Sequence, residues 1–419
     1  MSYPDSVRYL YALGNEIKVG AKFGLERMQV LLKALDNPER EQRFVHVAGT
    51  NGKGSTSAMI ANALRSAGYA TGLYTSPHLV EPTERIQVDG IPVSHEEFAQ
   101  TFEVVHQAAE ELLKMDAIDA HPSYFETVTA MAFLIFRERA DVVVLEVGLG
   151  GRLDATNVVT PELCVITPVS YDHESLLGNT LESIAGEKAG ILKPGVPVVM
   201  SKQEPEAEAV ILRRACQLGC RVDRAMDAAV ENVFVEARRS SFTVDGHAYT
   251  CGLAGRHQID NAVTAILACR ALKLSYAATS EGLESFRWPG RLEFVSEKPE
   301  FVLDGAHNPA GARALAQYTR EFCSNRPVWM VYGAMRDKAI EEIACQLFPL
   351  ADRLIVTAPD FPRALRPEAI LQMMPHPNAV IAANVADAIE LARKGPAEAT
   401  VFFTGSLFLV GEARGLLVK

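Results

Sequence analysis

The sequence predicts an α/β fold: an N-terminal P-loop domain built on a doubly wound parallel sheet, and a second, smaller α/β domain of Rossmann-like type. Three observations lead to this prediction. Short continuous apolar runs alternate with segments of helical spacing, which is typical of βαβ units. A glycine-rich loop follows the first of these runs. A Trp-Pro-Gly break at 288–290 interrupts the alternation, which then restarts.

The first part of the chain contains a series of buried-strand patterns. Runs such as DVVVLEVG (141–148) are apolar throughout, as expected for parallel strands that are buried on both faces. The predicted strands cover residues 43–48, 71–77, 141–148, 163–169 and 196–201. The predicted helices cover 55–68, with Gly68 as a stop signal, then 95–114 and 124–138. Alternation of this kind indicates a doubly wound sheet.

The segment FRWPGRL (286–292) breaks this rhythm and marks a domain boundary. We take 288–292 as the linker, 1–287 as the first domain and 293–419 as the second. After the linker, strand patterns cover 301–306, 328–334, 353–359, 379–383 and 399–406, each followed by a helical segment. Ligands commonly bind between domains, so we expect the site to lie between these two.

Composition and charge narrow the classes of protein that fit. The 419 residues carry a formal net charge of -11, whereas nucleic acids and anionic membranes require a basic face. No apolar run is long enough to span a bilayer, and the N-terminus lacks the apolar block of a signal peptide. No second cysteine pair or histidine cluster completes a zinc site with Cys216 and Cys220. We expect a cytoplasmic monomer with buried, reduced thiols and no nucleic-acid or membrane partner.

The strongest single motif is GTNGKGST (49–56), between a predicted strand and a predicted helix. Glycines at such a turn allow backbone amides to point at phosphate oxygens, and the helix N-terminus adds partial positive charge. Lys53 is then positioned for the β- and γ-phosphates of ATP, and Ser55 or Thr56 for Mg²⁺. The candidate nucleotide-binding residues are Gly49, Thr50, Asn51, Gly52, Lys53, Gly54, Ser55 and Thr56.

The motif indicates an ATPase domain, but it departs from the usual Walker pattern. Gly54 separates the Gly-Lys pair from the hydroxyl residue. The alternative interpretation is a glycine-rich turn with a solvated lysine, which the strand–loop–helix context disfavours.

A second glycine motif, LEVGLGG (145–151), follows a central buried strand. Open α/β sheets place ligand sites at the carboxyl ends of their strands, where Glu146 is predicted to lie. The glycines would allow another group to approach the backbone closely. The spacing is not GxGxxG, which disfavours a dinucleotide-binding fold. A solvated strand end is the remaining alternative for Glu146.

Further motifs occur in one order along nearly the whole chain. After GTNGKGS (49–55) come TSPHL (75–79), ERIQVDG (84–90), SYFE (123–126), LEVGLGGRLDATN (145–157), DH (172–173), EKAGI (187–191), PGRLE (289–293) and DGAHNP (304–309). Each motif alone is weak. The ordered set resembles the Mur ligase superfamily, in its folylpolyglutamate synthase and dihydrofolate synthase branch.

The resemblance implies metal-binding and catalytic residues. Mg²⁺ would be held by Ser76, Glu146 and His173, beside Ser55 of the loop, although a histidine is an unusual ligand for so hard an ion. Lys188 would be carbamylated and would hold a second Mg²⁺, whereas a lone lysine on a helix is normally a solvated charge. The candidate catalytic residues are Lys53, His173 and Lys188. The implied cofactors are ATP, two Mg²⁺ ions and a monovalent cation.

The same resemblance assigns residues to nucleotide and substrate. Nucleotide contacts outside the loop would come from Asn261, Arg291, Asp304 and His307. Folate or dihydropteroate would contact Arg85, Ser123, Tyr124, Phe125, Glu126, Leu153, Asp154 and Ala155. The two aromatic residues could stack on a pterin, although aromatics at helical spacing usually belong to the core. An Asx turn or helix cap ahead of Asn308 is the alternative for Asp304.

The activity that the resemblance implies is ATP-dependent addition of L-glutamate to folates through an acyl phosphate. Residues 9–28 are similar to the same segment of bifunctional bacterial members, which favours a second reaction, from dihydropteroate and L-glutamate to dihydrofolate. Two alternatives remain. A Mur-type cell-wall ligase would carry an additional N-terminal domain, for which the residues before Gly49 leave no room. A P-loop ATPase without ligase activity would lack the ordered later motifs.

Overall fold

The computed structural model describes residues 1–13, 24–336 and 338–418. The α-helices in these ranges are α1 (Tyr3–Ala12), α2 (Glu26–Ala34), α3 (Lys53–Ser66), α4 (His95–Lys114), α5 (Tyr124–Arg139), α6 (Glu174–Leu177), α7 (Leu181–Ala189), α8 (Pro205–Gln217), α9 (His257–Ala271), α10 (Tyr276–Glu284), α11 (Pro309–Phe322), α12 (Ile340–Leu347), α13 (Pro367–Met373), α14 (Val385–Ala392) and α15 (Leu407–Leu417). The strands are β1 (Arg43–Ala48), β2 (Thr71–Tyr74), β3 (Ile86–Val88), β4 (Ile91–Pro92), β5 (Val142–Glu146), β6 (Leu163–Ile166), β7 (Val198–Met200), β8 (Val222–Arg224), β9 (Val230–Val235), β10 (Ser240–Val244), β11 (His247–Cys251), β12 (Glu293–Glu297), β13 (Glu300–Leu303), β14 (Val328–Tyr332), β15 (Arg353–Val356), β16 (Ala379–Ile381) and β17 (Thr400–Thr404).

The first domain is built on an eight-stranded sheet in the order β4-β3-β2-β5-β1-β6-β7-β8. The six strands from β2 to β8 in this order run parallel, and β3 and β4 add an antiparallel edge. In the central pair, Val47 of β1 lies beside Glu146 of β5, so both strands end at the same edge. That edge faces the second domain and carries the candidate site.

Helices cover both faces of this sheet, because its strands are apolar on both sides. On one face, Phe44 of β1 packs edge-on against Phe133 of α5, with ring centroids 5.6 Å apart. On the other face, Val45 and Val47 belong to a core that includes α3 and α9. A three-stranded antiparallel sheet, β11-β10-β9, packs against this second core through residues such as Phe242.

The second domain is built on a six-stranded sheet in the order β12-β13-β17-β14-β15-β16. Its strands are parallel except for β12, which pairs antiparallel with β13. The first strand of this sheet begins at Glu293, directly after the segment that we predict to be the linker. The predicted fold class, a doubly wound P-loop domain with a second α/β domain, is confirmed.

The cysteines only partly follow the expectation of buried thiols. All seven are free, and Cys164, Cys251, Cys269 and Cys323 are buried. Cys216 and Cys345 are exposed, because each lies on the solvent-facing side of an amphipathic helix, α8 and α12. In the described part of the chain, every helix is too short or too polar to span a bilayer.

Candidate active site between the two domains

One cavity of about 1160 Å³ brings most of the predicted site residues together. It lies at the carboxyl ends of the first sheet's parallel strands and is closed on the far side by the second domain. The predicted residues that line it are Gly49, Thr50, Asn51, Gly52, Lys53, Gly54, Ser55, Ser76, Ser123, Phe125, Glu126, Glu146, Leu153, Asp154, Ala155, His173, Lys188, Asn261, Arg291, Asp304 and His307. Thr56, Arg85 and Tyr124 do not line it.

The phosphate loop is held in shape by the segment that follows β6. The backbone N–H groups of Thr50 and Asn51 both donate to the carbonyl of Pro168, at 2.9 and 3.2 Å. The Thr50 hydroxyl donates to the carbonyl of Ser170 at 3.0 Å, and Asn51 Nδ2 donates to Ser170 Oγ at the same distance. The loop therefore has a fixed curvature before any ligand binds.

Glycine is required where this loop enters α3. Gly52 has φ +80°, and a Cβ there would lie 2.2 Å from Asn261 Oδ1. The next residue, Lys53, is the first of α3, and its Nζ donates to the carbonyl of Thr50 at 3.2 Å. The lysine side chain thus folds back over the loop, where its ammonium group can contact an anion bound there.

Glu146 ends β5 beside the start of α3. It is 3% exposed, and its Oε2 accepts a hydrogen bond from the Ser76 backbone N–H at 3.3 Å. Burial raises the pKa of Glu146 to about 7, although Lys53, the Ser76 N–H and Arg291 act in the opposite direction. A buried carboxylate of this kind is stabilised by a cation.

The groups around Glu146 fit the chemistry of Mg²⁺. The carboxylate, with the hydroxyl groups of Ser55 and Ser76 that line the same cavity, supplies the hard oxygen ligands which that ion prefers. His173 faces the cavity from the loop after β6 and has φ +52°, immediately before α6. This backbone conformation is uncommon for a residue other than glycine.

Lys188 reaches the phosphate loop from α7. Its Nζ donates to the carbonyl of Gly49 at 2.7 Å, and the residue is 4% exposed. Burial and the neighbouring Lys53 cation lower the pKa of Lys188 to about 7, and Asp172 and Asp154 oppose this shift only in part. The lowered pKa favours the neutral, nucleophilic form of this amine.

The glycines of LEVGLGG allow α7 to approach this closely. A Cβ on Gly151 would lie 2.7 Å from the carbonyl of Glu187, and one on Gly148 would lie 2.5 Å from the ring of Phe125. The motif therefore packs between α7 and α5. Close packing of protein segments, and not only of a ligand, accounts for these two glycines.

Asp172 joins the two domains within the cavity. Its Oδ1 lies 2.7 Å from Lys338 Nζ of the second domain, and its Oδ2 lies 3.9 Å from His307 Nε2. Burial alone would raise the pKa of Asp172, but Lys338, His173 and His307 together hold it well below its usual range. Asp172 is therefore a permanent anion at this point.

In the second domain, Asp304 organises the backbone that faces the cavity. Its two oxygens accept from the N–H groups of Leu292 and Ala306, each at 3.0 Å. Asp304 therefore forms the Asx turn that was the alternative to a nucleotide contact. It also lines the cavity beside Arg291. His307 donates from Nδ1 to the carbonyl of Gly305 at 2.7 Å, which leaves its Nε2 as the acceptor.

Asn308 provides a second link between the domains. Its Nδ2 donates to Asn51 Oδ1 of the phosphate loop at 2.9 Å. Its Oδ1 accepts from the Gly311 N–H and caps α11. A loop residue of one domain is thus attached to a helix N-terminus of the other.

The residues of the predicted folate segment SYFE (123–126) have different roles in the structure. Ser123 and Glu126 form a capping box at the start of α5, and Glu126 also accepts from Arg27 Nε at 3.1 Å and Nη2 at 2.9 Å. Of the two aromatic residues in this segment, Phe125 lines the cavity. Tyr124 is buried in the core behind it.

Arg85 and Thr56, which do not line the cavity, contact other parts of the protein, and Asp154, which does line it, is held by backbone amides. The Arg85 guanidinium lies 5.1 Å from the centre of the Tyr124 ring, and its Nε donates to His78 Nδ1 at 2.8 Å. Thr56 is fully buried in α3. Asp154 lines the cavity, but its oxygens accept from the N–H groups of Leu149 and Thr156, at 2.9 and 3.0 Å.

Sequence reasoning missed several residues at the site. Arg27, Asp172 as an ion-pair partner, and Lys338 gave no signal, because each is a single charged residue that only the tertiary fold brings to the cavity. Gln258 was also missed; its Nε2 lies 3.4 Å from Ser55 Oγ. Of the N-terminal segment 9–28, residues 14–23 lie outside the described residues, so its predicted role stays a prediction.

Family models match both domains. The Mur ligase middle domain matches residues 47–269, and the glutamate ligase domain of Mur ligases matches residues 290–407. Among curated relatives, the dihydrofolate synthase/folylpolyglutamate synthase of Bacillus subtilis is 38% identical over 99% of this chain and 98% of its own. The folylpolyglutamate synthase of Lacticaseibacillus casei is 34% identical over 100% of this chain and 99% of its own.

A solved structure agrees with these matches. The folylpolyglutamate synthase of Mycobacterium tuberculosis, in complex with ADP and AMPPCP, superposes with a TM-score of 0.91 and 32% identity, covering 100% of this chain and 99% of the other. The similarity therefore extends over both domains and their arrangement. The chain belongs to the Mur ligase family, in the branch of the folylpolyglutamate and dihydrofolate synthases.

Proposed function

We propose that the protein is an ATP-dependent ligase that adds L-glutamate to folates, and that it also joins L-glutamate to dihydropteroate to make dihydrofolate. The observation that carries the proposal is that a phosphate loop and three residues of the SYFE segment, Ser123, Phe125 and Glu126, line one cavity between the two domains. The names of the Bacillus subtilis and Lacticaseibacillus casei relatives support folate as substrate. The ADP and AMPPCP in the Mycobacterium tuberculosis structure support ATP as the second substrate.

We assign the phosphates of ATP to the loop 49–56 and the N-terminus of α3. Backbone amides, Lys53 Nζ and the helix dipole present positive charge there. Asn261, Arg291, Asp304 and His307 line the remainder of the nucleotide side. The pterin would lie against Phe125 and the turn Leu153–Ala155, with its carboxylate directed towards the phosphate loop.

Amide formation from a carboxylate and an amine is uphill in water, so the acid must first be activated. The substrate carboxylate attacks the γ-phosphorus, and ADP leaves. Lys53 and the loop amides stabilise the charge that develops on the transferred group. The amine of L-glutamate then attacks the acyl carbon, and inorganic phosphate leaves. Most of the protein's contribution is positioning and charge stabilisation.

Ser55, Ser76, Glu146 and His173 would hold Mg²⁺, which supplies the charge that allows an anionic carboxylate to approach a polyphosphate. We propose that Lys188 carries a carbamate and holds a second Mg²⁺. The lowered pKa of Lys188 supports this, because only a neutral amine reacts with carbon dioxide. The adjacent Gly49 carbonyl can still accept from the remaining N–H of a carbamate.

The second domain contributes by closing the cavity. The hydrogen bond between Asn308 and Asn51 and the ion pair between Lys338 and Asp172 hold the second domain against the phosphate loop and the segment after β6. Closure excludes water, which would otherwise hydrolyse an acyl phosphate. We further propose that the protein acts as a monomer, since a single chain supplies every described wall of the cavity. The cytoplasmic location expected from the sequence is also part of this proposal.

The proposal is tested by product analysis. The protein is incubated with ATP, Mg²⁺, L-glutamate and either tetrahydrofolate or dihydropteroate, and the products are examined by mass spectrometry. We expect one or more added glutamates on the folate and one on dihydropteroate, each with stoichiometric ADP. Phosphate release that needs neither acid nor amine would instead identify an ATPase without ligase activity. Glutamate addition to tetrahydrofolate alone would remove the second reaction from the proposal.

A further inference from the structure

A cluster of two histidines and a glutamate lies outside the interdomain cavity. His106 and Glu110 are one turn apart on the same face of α4, and His121 lies in the segment between α4 and α5. One ligand atom from each residue can be chosen so that all three atoms lie within 4.8 Å of one another. All three residues are partly exposed, so an ion from solvent can reach them.

The hydrogen bonding of His121 fixes which of its ring nitrogens faces the cluster. Its Nδ1 lies 2.9 Å from the carbonyl of Pro122, and a carbonyl can only accept, so Nδ1 carries the hydrogen. The lone pair of the neutral ring is therefore on Nε2, which faces His106 Nδ1. A backbone carbonyl in this position is the usual partner that orients a metal-binding histidine.

The distance between the two histidines fits two ligands of one ion better than a hydrogen bond. His106 Nδ1 and His121 Nε2 are 3.4 Å apart. Hydrogen bonds from ring nitrogens are normally shorter than this. In a tetrahedral Zn²⁺ site with Zn–N distances of roughly 2.0–2.1 Å, two ligand nitrogens are separated by about 3.3–3.4 Å.

We propose that His106, Glu110 and His121 bind a Zn²⁺-type divalent ion, with water at the fourth position. Two imidazoles and one carboxylate select a borderline transition-metal ion over Mg²⁺, which prefers oxygen ligands alone. The ligand set thus differs in chemistry from the oxygen-rich group around Glu146. The site is independent of the ligase proposal and takes no part in the reaction.

The position of the site indicates a structural effect. The ring of Tyr9, on α1, lies 4.6 Å from that of His106 and 5.8 Å from that of His121. His121 is two residues before Ser123, which caps α5. An ion here would connect α4 to the segment that leads into α5, the helix that presents Phe125 to the cavity, and would fix the two rings against which Tyr9 of α1 packs. Its binding should therefore stabilise the fold.

The experiment uses the full chain, stripped of metal with a chelator that is then dialysed away, and kept in excess Mg²⁺ without ATP, because the phosphates of ATP bind Zn²⁺ themselves. Zn²⁺ is titrated by calorimetry into wild type, His106→Gln, Glu110→Gln and His121→Gln. His247→Gln is the matched control, since His247 is exposed on β11, away from the cluster. We expect wild type and the control to bind one equivalent more than either histidine variant, and Glu110→Gln to bind at least tenfold more weakly. Zn²⁺ should raise Tm in wild type and the control, but not in either histidine variant.

Co²⁺ provides a second readout that does not depend on activity. Tetrahedral Co²⁺ absorbs visible light far more strongly than octahedral Co²⁺, so wild type should develop an intense band that His106→Gln lacks. Circular dichroism establishes that the variants are folded. Equal Zn²⁺ stoichiometry in wild type and the three folded variants would overturn the proposal. Zn²⁺ binding that persists in both histidine variants but is lost in Glu146→Gln would place the ion in the interdomain cavity and overturn the proposal as well.

Discussion

The two ends of the interdomain cavity are built differently. At the phosphate end, Glu146 and Lys188 are buried charges, each with a pKa brought to about 7 by burial. At the pterin end, which comprises Ser123, Phe125, Glu126 and Leu153–Ala155, the carboxylates are occupied by the protein itself. Glu126 accepts from Arg27 and from the Ser123 N–H, and Asp154 accepts from two backbone amides.

This difference indicates where the chemistry lies. Burial also raises the pKa of Asp154, so a shifted pKa alone does not separate the two ends. Hydrogen bonding separates them, because buried ionisable groups with few partners are typical of reacting centres and fully hydrogen-bonded groups are typical of scaffolds. Substitutions at the phosphate end should therefore lower kcat without unfolding the protein. Substitutions at the pterin end should mainly change folding stability or KM.

The largest effect is expected at Lys53. Lys53→Ala removes a cation that faces the transferred phosphoryl group, and it should lower kcat on the order of a hundredfold to a thousandfold. Tm should stay within a degree or two of wild type, because the side chain only curls over the loop. Steady-state kinetics at saturating ATP is the measurement, with the exposed Lys394→Ala as control. Near-normal turnover would remove Lys53 from the mechanism.

Substitution of Lys188 should lower kcat about as much, but small carboxylic acids should restore part of the activity. Lys188→Ala should be roughly a hundredfold less active, because a ligand for the second ion is lost. Lys188→Arg should be no better, although it keeps the positive charge. Formate or acetate should restore part of the rate of the alanine variant. If arginine retains activity and small amines rescue while carboxylates do not, Lys188 is a plain cation.

Glu146→Gln should change how the free energy of unfolding of the metal-free protein depends on pH. A carboxyl whose folded pKa is raised from 4.5 to about 7 favours folding below pH 4.5, and this contribution is lost as the pH rises through 7. Glu146→Gln has no such loss. Relative to wild type, its free energy of unfolding should therefore gain about 1–3 kcal/mol between pH 4.5 and pH 8.

Urea denaturation at the two pH values measures this gain. Mg²⁺ added at pH 8 should stabilise wild type more than the variant. A difference between the two proteins that is independent of pH and Mg²⁺ would contradict a cation-binding role for Glu146.

At the pterin end, Glu126→Gln should behave as a structural change. It weakens the paired hydrogen bonds from Arg27 and should cost about 1–2 kcal/mol of unfolding free energy, with kcat unchanged. Chemical denaturation and steady-state kinetics give the two numbers. Unchanged stability with a raised KM for folate would show that Glu126 contacts the substrate instead.

The smallest effect is expected at Phe125, the aromatic residue of the SYFE segment that lines the cavity. Phe125→Leu should raise the KM for the pterin substrate by up to about tenfold, because a stacking surface is lost, with little change in kcat. Tyr124→Phe, in the core behind it, is the control and should leave KM unchanged. An equal rise in KM for both substitutions would mean that Phe125 acts only through packing and does not contact the pterin.

Most of the fold could be predicted from periodicity. The strand at 43–48 and the helix at 95–114 lie where the sequence places them, because continuous apolar runs and helical spacing are local signals. The predicted strand 71–77 ends at Tyr74, since Thr75 and the residues after it turn into the site edge. The antiparallel sheet β9–β11 was missed, because β9 is largely exposed and lacks a continuous apolar run.

The site was predictable only where ordered motifs mark it. The loop 49–56 and DGAHNP are contiguous in sequence, and the structure brings them together across the two domains. Lys338, which binds Asp172, and Arg27, which binds Glu126, are isolated residues whose partners lie far away along the chain. Ser123 and Glu126 have the Ser-x-x-Glu spacing of a capping box, a sequence signal for a helix start that the substrate interpretation of SYFE left out.

The central step of the proposed reaction is transfer of the γ-phosphoryl group to the substrate carboxylate at the phosphate end of the cavity. The direct test uses folate whose terminal carboxylate carries a heavy oxygen isotope, incubated with ATP, Mg²⁺ and L-glutamate. An acyl phosphate transfers one labelled oxygen to phosphate when the glutamate amine attacks, so the inorganic phosphate released should carry one label for each amide formed. Amide formation with unlabelled phosphate, or with the label in AMP, would contradict the account.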